Sequence, residues 1–162
     1  MPQDGLKMVN ELKLGIVGLS EGNGHPYSWS AILNGYDESL MENCGFPVIP
    51  RYLEKQNFPD ATISEGKVTH IWTQSYEISK RIADTTFISN VVTNLDDFIG
   101  NVDAVLLARD DAEMHYSMSK QFIAEGIPIY IDKPLALSLP EAERILKIKK
   151  YPGQIFSCSA LK

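Results

Sequence analysis

The sequence predicts an α/β fold, a doubly wound and mostly parallel six-stranded sheet with helices on both faces. Three observations predict it. An apolar run at 14–19 enters a glycine-rich turn and then a helical pattern; short apolar or β-branched runs alternate with amphipathic segments down to the last residues; and no repeat or low-complexity segment interrupts them. Right-handed crossovers between parallel strands favour the strand order 3-2-1-4-5-6.

The first strand is followed by a predicted helix at 27–34, which Gly35 closes. Residues 36–66 then form an insertion, because a compact connection to the next strand needs only about two to six residues. Inside it, we expect an extended segment at 46–50 and a short helix at 51–58. Two interpretations stay open: the insertion is a lid or an oligomer contact, or it is a passive surface loop.

Regular alternation resumes after the insertion. The remaining strands are predicted at 68–73, 86–89, 103–108, 127–131 and 154–160. The helices between them are predicted at 75–83, at 94–99, at 112–125 and after a capping box that spans 138–141.

Length, charge and cysteine content narrow the class of protein. A chain of 162 residues corresponds to one domain, 1–162, and its net charge of −6 argues against a nucleic-acid partner. Cys44 and Cys158 match no metal spacing, so we expect no metal and two buried, reduced thiols. The N-terminus lacks an apolar signal region and no run is long enough for a membrane span, which predicts a cytoplasmic protein.

The glycine-rich turn is the first candidate binding site. Gly18, Gly22 and Gly24 lie between a strand and a helix, where backbone N–H groups and a helix N-terminus can receive a phosphate. The spacing reads G-x-S-x-x-N from Gly18 and G-x-G-x-x-Y from Gly22, which is not the usual dinucleotide fingerprint. A dinucleotide site and a merely tight turn both remain open from these residues alone.

Polar residues at the carboxyl ends of the strands are the other candidates, since ligands of such sheets collect there. Lys133 follows the fifth strand between Asp132 and Pro134, where it could hold a substrate hydroxyl or assist a proton transfer; the alternative is an ordinary loop salt bridge. His115 and His25 could face a ligand or serve packing and turn stability. Gln74 occupies the place where a ribose-binding carboxylate is usual, so a 2′-phosphate is not excluded.

Three segments together resemble the N-terminal Rossmann half of the Gfo/Idh/MocA family of NAD(P)-dependent oxidoreductases. They are the opening 13–19, the run 102–108 with His115 beyond it, and above all 126–137, in which Asp132-Lys133-Pro134 stands where the family has Glu-Lys-Pro. The resemblance covers the chain from about residue 12 to its end, apart from the insertion.

The resemblance implies an activity on the hydroxyl or carbonyl of a sugar, a cyclitol or a related small molecule, with Lys133 as the active-site lysine. NAD or NADP is the implied cofactor, without a choice between them, and a homo-oligomer is a further expectation. The resemblance also implies a second α/β domain after the sixth strand, which the 162 residues do not contain. We therefore expect the chain to be inactive by itself; the alternatives are a non-catalytic binding module with a degenerate nucleotide site and a complete small reductase.

Taken together, these arguments predict one catalytic residue, Lys133, and a set of cofactor-binding residues at the carboxyl edge of the sheet. That set is Gly18, Leu19, Ser20, Gly22, Asn23, Gly24, His25, Thr73, Gln74, Ser75, Ala108, Arg109, Asp110, His115, Asp132, Lys133 and Pro134.

Overall fold

A computed structural model describes residues 11–159 of the chain. Its six strands form one sheet in the order β3-β2-β1-β4-β5-β6, and every neighbouring pair is parallel. The strands are β1 (Leu12–Val17), β2 (Gly66–Trp72), β3 (Asn90–Val91), β4 (Ala104–Leu107), β5 (Ile129–Ile131) and β6 (Ile155–Phe156). The predicted fold class and strand order are confirmed.

The helices lie between consecutive strands. They are α1 (His25–Asn34), α2 (Glu38–Met41), α3 (Val48–Leu53), α4 (Tyr76–Thr86), α5 (His115–Ala124) and α6 (Leu139–Lys147). Two short 3₁₀ helices, Leu95–Phe98 and Ala112–Met114, precede β4 and α5. The predicted capping box is half formed: the Ser138 hydroxyl accepts the Glu141 N–H, whereas the Glu141 carboxylate accepts from that hydroxyl rather than from the backbone N–H of Ser138.

Two apolar clusters lie on opposite faces of the sheet. Ile16 and Val17 are neighbours on β1 and fully buried, yet they belong to different clusters because side chains alternate along a strand. On one face β1 and β2 pack against α1 and α4; on the other, β4 and β5 pack against α5 and α6. In both clusters, each Å² of apolar surface that is removed from water stabilises the fold by roughly 25 cal/mol.

Three local predictions are wrong, those for 46–50, for 51–58 and for 86–89. Residues 46–50 are not extended, because α3 already begins at Val48, and α3 ends at Leu53 rather than at 58. The third strand is not at 86–89 but at Asn90–Val91, since Thr86 still belongs to α4 and Phe87 closes that helix in the left-handed conformation. The helix predicted at 94–99 is the 3₁₀ helix Leu95–Phe98.

The insertion at 36–66 is part of the domain core. Met41, Ile49 and Leu53 are all at least 96% buried and pack in the same cluster as α1 and α4. Tyr36 also meets Phe58 edge to face, with ring centroids 5.3 Å apart. This packing argues against a passive surface loop. It holds α3 beside the glycine turn.

Candidate functional site

The glycine turn connects β1 to α1 at the carboxyl edge of the sheet. Gly22 has a φ of +76°, and a Cβ there would meet nothing within 4 Å, so this side of the turn is open. Gly24 caps α1 without a side-chain hydrogen bond, and the first turn of α1 has no acidic residue. Among residues 11–159, nothing accepts a hydrogen bond from the backbone N–H groups of Ser20, Gly22 or Gly24. These features suit an anion such as a pyrophosphate.

Gln74 and Arg109 hold the start of this turn. The Gln74 amide accepts the Leu19 N–H at 3.0 Å and donates to the Leu19 carbonyl at 2.7 Å. Arg109 donates to the same carbonyl at 3.1 Å. The backbone N–H and the carbonyl of Leu19 therefore both have hydrogen-bond partners. The Gln74 side chain binds the glycine turn, although its position after β2 suggested a contact with a ribose.

Ser20 and Asn23, the two residues that replace usual glycines, join the turn to two other strand ends. The Ser20 hydroxyl lies 2.5 Å from an Asp110 carboxylate oxygen and accepts the Asp110 N–H. Asn23 donates to the Asp132 carboxylate at 2.9 Å and accepts the N–H of His25. The ends of β1, β4 and β5 thus meet at one place.

Asp132 is the buried centre of this arrangement, with 1% of its surface exposed. One carboxylate oxygen accepts from Asn23 and lies 2.5 Å from Nδ1 of His25; the other accepts the N–H of Lys133 at 2.8 Å. Burial by itself would raise the pKa of Asp132, but the hydrogen bonds from His25 and Asn23 outweigh it and lower that pKa. Asp132 is therefore ionised at neutral pH.

Lys133 lines a cleft between the glycine turn and the insertion. The cleft has a volume of about 280 Å³. Its polar side contains Gly22, His25, Asp110 and Lys133, whose Nζ lies 3.8 Å from an Asp110 carboxylate oxygen. Its other side is largely apolar and comes from the insertion: Phe46, Val48, Ile49 and Tyr52.

The insertion residues were not among the predicted site residues. A Cβ on Gly24 would lie 2.6 Å from Ile49 and 2.8 Å from Phe46, so only a glycine lets the insertion approach the turn this closely. The one signal in the sequence was the position of a long insertion next to the turn. The pairing of His25 with Asp132 was also missed, because these residues are 107 positions apart.

Most of the other predicted residues are buried beneath the cleft or form hydrogen bonds within the neighbouring loops. Ala108 is fully buried, and Thr73 is buried and accepts the Ser75 N–H, while Ser75 caps α4. His115 is fully buried; its two ring nitrogens lie 3.0 Å and 2.8 Å from the carbonyl oxygens of Leu135 and Arg109. It therefore joins the loops after β4 and β5. A direct cofactor contact for these residues, and for Pro134, stays a prediction.

Arg109 gives a first test of this framework. It is 7% exposed and binds both carboxylate oxygens of Asp111, at 2.9 and 2.5 Å. Burial would raise the pKa of Asp111, but the hydrogen bond and charge of Arg109 outweigh it and lower the pKa. We expect Arg109→Met to lower the free energy of unfolding by about 2–3 kcal/mol in urea titrations, since Asp111 keeps some solvent. The double variant with Asp111→Asn should lose less than the single one; an equal or greater loss would contradict the pairing.

A parallel sheet in this order, with a glycine turn and an open helix N-terminus at its carboxyl edge, defines a dinucleotide-binding domain. The model of the Gfo/Idh/MocA family, described as an oxidoreductase family with an NAD-binding Rossmann fold, matches residues 12–159. The chain belongs to this family. The match supports NAD or NADP as its cofactor class, without a choice between them.

Solved structures give the same fold. A Gfo/Idh/MocA oxidoreductase from Vibrio cholerae is similar with a TM-score of 0.61 and 18% identity over 91% of this chain and 38% of that one. A 3-ketoreductase variant from Actinomadura kijaniata, in complex with TDP-benzene and NADP, has a TM-score of 0.55 and 17% identity over 86% of this chain and 34% of that one. Scyllo-inositol dehydrogenase from Lactobacillus casei, with bound NAD(H) and scyllo-inositol, is similar with a TM-score of 0.54 and 15% identity over 85% of this chain and 32% of that one.

The chain thus spans about a third of the length of these solved structures. None of the curated proteins that were compared matches it.

Within residues 11–159, no helix is both long and apolar enough to cross a membrane, and no group of three or more potential metal ligands occurs. Of the two free cysteines, Cys44 is buried as expected, whereas Cys158 is only half-buried.

Proposed function

We propose that this chain is the cofactor domain of an NAD(P)-dependent oxidoreductase that acts on a hydroxyl or carbonyl of a sugar-like molecule or a cyclitol. One observation carries the proposal. The contact of Asn23 and His25 with Asp132 brings the glycine turn next to Lys133, the lysine at the position of the family's active-site residue. A cofactor on the turn and a substrate at Lys133 would then be neighbours.

Different residues of the cleft would have different roles. The open amides of the turn and the N-terminus of α1 would hold the pyrophosphate. The bound cofactor supplies or takes up the hydride. The Lys133 ammonium, which only donates hydrogen bonds, would orient the substrate oxygen and stabilise negative charge on it. Tyr52 and Val48, both partly exposed, would exclude water from the other side.

The shape of the cleft supports a polyol as substrate. A sugar or cyclitol ring has hydroxyl edges for charged donors and acceptors and C–H faces for apolar side chains. The cleft offers both kinds of surface, with Lys133 and Asp110 on one side and Phe46 and Tyr52 on the other. Two of the similar solved structures carry the names of an inositol dehydrogenase and a ketoreductase. Since the chain spans only a third of such proteins, we propose that turnover needs a further domain.

A non-catalytic binding module with a degenerate nucleotide site is the alternative. One observation favours this alternative: the Leu19 N–H, near the start of the turn, already donates to the Gln74 side chain, so it is not free to bind a phosphate. The two functions differ in one measurement. Calorimetric titration with NADH and NADPH should give saturable binding for the cofactor domain and no binding up to millimolar concentration for the alternative. The same titrations decide between NAD and NADP.

The remaining expectations belong to the same proposal. A cytoplasmic protein without a nucleic-acid partner agrees with the net charge of −6 and the two free cysteines. A homo-oligomer is kept as an expectation from the family resemblance. Sedimentation equilibrium of the purified protein tests it directly.

Gly22→Ala tests the proposed cofactor site. The methyl group would stand on the open side of the turn, so we expect the Kd for the preferred cofactor to rise about tenfold or more, the equivalent of one lost hydrogen bond. Gly100→Ala is a matched control, because Gly100 has a φ of +79°, also has open space around it, and precedes β4 at the opposite edge of the sheet. Both variants carry the same left-handed strain, so equal cofactor affinities in both would contradict the site.

A further inference from the structure

The N-terminus of α1 offers a bound anion fewer backbone donors than its open shape suggests. The N–H of His25 already donates to the Asn23 side chain at 2.9 Å, and Pro26 has no N–H. The N–H of Tyr27 donates to the carbonyl of Gly24 at 3.0 Å. At the start of α1, therefore, only the N–H of Gly24 has no acceptor within residues 11–159. A diphosphate at this place needs donors from elsewhere.

The charged residues of the cleft meet this need only in part. Lys133 brings a positive charge, but the Asp110 carboxylate lies 3.8 Å from its Nζ and lines the same cleft. For an anion that binds near both side chains, the two charges offset each other. A neutral donor that reaches the anion from another wall of the cleft would therefore strengthen binding, since hydrogen bonds to charged acceptors are the strong ones.

Tyr52 of the insertion is placed to be such a donor. Among the described residues, the insertion lines the cleft with Phe46, Val48, Ile49 and Tyr52, and of these side chains Tyr52 alone contains a polar atom. The packing of Ile49 against Gly24 holds α3 beside the glycine turn. Tyr52 is 37% exposed, so a ligand in the cleft can reach its side chain.

The Tyr52 hydroxyl is held against the first part of α1 by Ser28. Ser28 is 4% exposed and lines the same cleft. Burial raises the pKa of Tyr52 and outweighs the opposing effect of a hydrogen bond with the Ser28 side chain, so the phenol keeps its proton. Since both hydroxyl hydrogens rotate, Ser28 can donate to the Tyr52 oxygen while Tyr52 turns its own hydrogen into the cleft.

We propose that Tyr52 is a cofactor-binding residue, whose hydroxyl donates a hydrogen bond to the diphosphate of the nicotinamide dinucleotide. The inference rests on the proposed function. It assigns a part in that function to the insertion, which the sequence resemblance does not cover. The glycine turn contacts the diphosphate from one side and α3 contacts it from the other. The insertion thus replaces donors that the N-terminus of α1 does not have.

Tyr52→Phe removes the hydroxyl and keeps the ring. Calorimetric titration of the purified chain with NADH, NADPH and ADP measures the effect, because ADP carries a diphosphate without the nicotinamide half. We expect the Kd of the preferred dinucleotide and that of ADP to rise about tenfold, the usual loss for a hydrogen bond to a charged group. The midpoint of urea unfolding should change little, since the side chain is partly exposed.

Tyr36→Phe is the matched control. Tyr36 is also a partly buried tyrosine whose pKa is raised by burial, but it lines a separate cleft together with Glu38 and Glu54. Loss of its hydroxyl should leave the Kd of the dinucleotide and of ADP unchanged.

A second measurement observes the Tyr52 hydroxyl without a change in affinity. In ¹³C NMR spectra of the chain labelled at tyrosine Cζ, the resonance of Tyr52 is assigned by its absence from Tyr52→Phe. The preferred dinucleotide and ADP should shift this resonance, because the hydroxyl gains an anionic acceptor. Adenosine, which has no diphosphate, should leave it in place, and none of the three ligands should move the resonance of Tyr36.

The outcomes separate the inference from the proposed function. If the wild-type protein binds neither NADH nor NADPH, the proposed function fails and the role of Tyr52 fails with it. If a dinucleotide binds, three results overturn only the role of Tyr52: an equal Kd for Tyr52→Phe and the wild type, an equal rise in Kd for Tyr36→Phe, or a Tyr52 resonance that responds to adenosine as it does to ADP.

Discussion

Replacement of Lys133 by alanine is expected to lower the turnover of the full-length gene product with its polyol substrate by about 10³-fold. The Lys133 ammonium lines the cleft, 3.8 Å from Asp110, and among the described residues that line the cleft Lys133 alone is a lysine or an arginine. Without it, the negative charge that develops on the substrate oxygen loses its donor. The measurement is steady-state kcat/KM, with cofactor affinity determined separately.

The stability of the Lys133 variant should change little. The side chain is 48% exposed, and a solvent-exposed ion pair contributes at most about 1 kcal/mol. Lys120→Ala is a suitable control, because it removes the same charge from an exposed position of α5 away from the cleft. A Lys133 variant as active as the Lys120 variant would show that Lys133 only forms a loop salt bridge, which was the alternative interpretation of the sequence.

The sequence is sufficient to predict the fold because the relevant signals are local. A short apolar run such as 104–108 between turn signals is typical of a buried strand, and the crossover rule then orders the strands. The errors occur where tertiary contacts override local preference. Phe46 and Pro47 resemble extended chain, yet the packing of Ile49 on Gly24 places a helix there. Similarly, Asn34 of α1 binds the carbonyl of Thr86 and holds it at the end of α4.

The site was predictable as a set of strand ends but not as a network. The rule that ligands collect at the carboxyl edge correctly brings Lys133 near the glycine turn. It cannot say that Ser20 and Asn23 take up hydrogen bonds to Asp110 and Asp132, because each pair is at least 90 residues apart. Ser20 and Asn23 looked like defects of a glycine fingerprint. In the structure they are the residues that attach the turn to the rest of the site.

Asp132→Asn is expected to be the most destabilising of the polar substitutions considered, with a loss of about 3–5 kcal/mol in the free energy of unfolding at neutral pH. An asparagine would turn an N–H₂ group toward donors that now approach the carboxylate from Asn23, His25 and the backbone of Lys133. Urea titration monitored by circular dichroism measures the loss. Asp84→Asn is the control, since Asp84 is 54% exposed and forms only a surface pair with Lys80, worth about 0.5 kcal/mol.

The dependence of this loss on pH distinguishes a charge effect from a packing effect. Because hydrogen bonds outweigh burial and lower the pKa of Asp132 in the folded chain, the carboxylate stabilises the fold at any pH above the unfolded value of about 4. That contribution is lost as the pH falls through the lowered folded pKa, where wild type and variant both carry a neutral side chain. The difference between them should therefore be constant from about pH 7 to pH 5 and shrink below about pH 4. A difference that stayed constant into the acid range would assign the loss to packing and would remove the ionised Asp132 from the centre of the site.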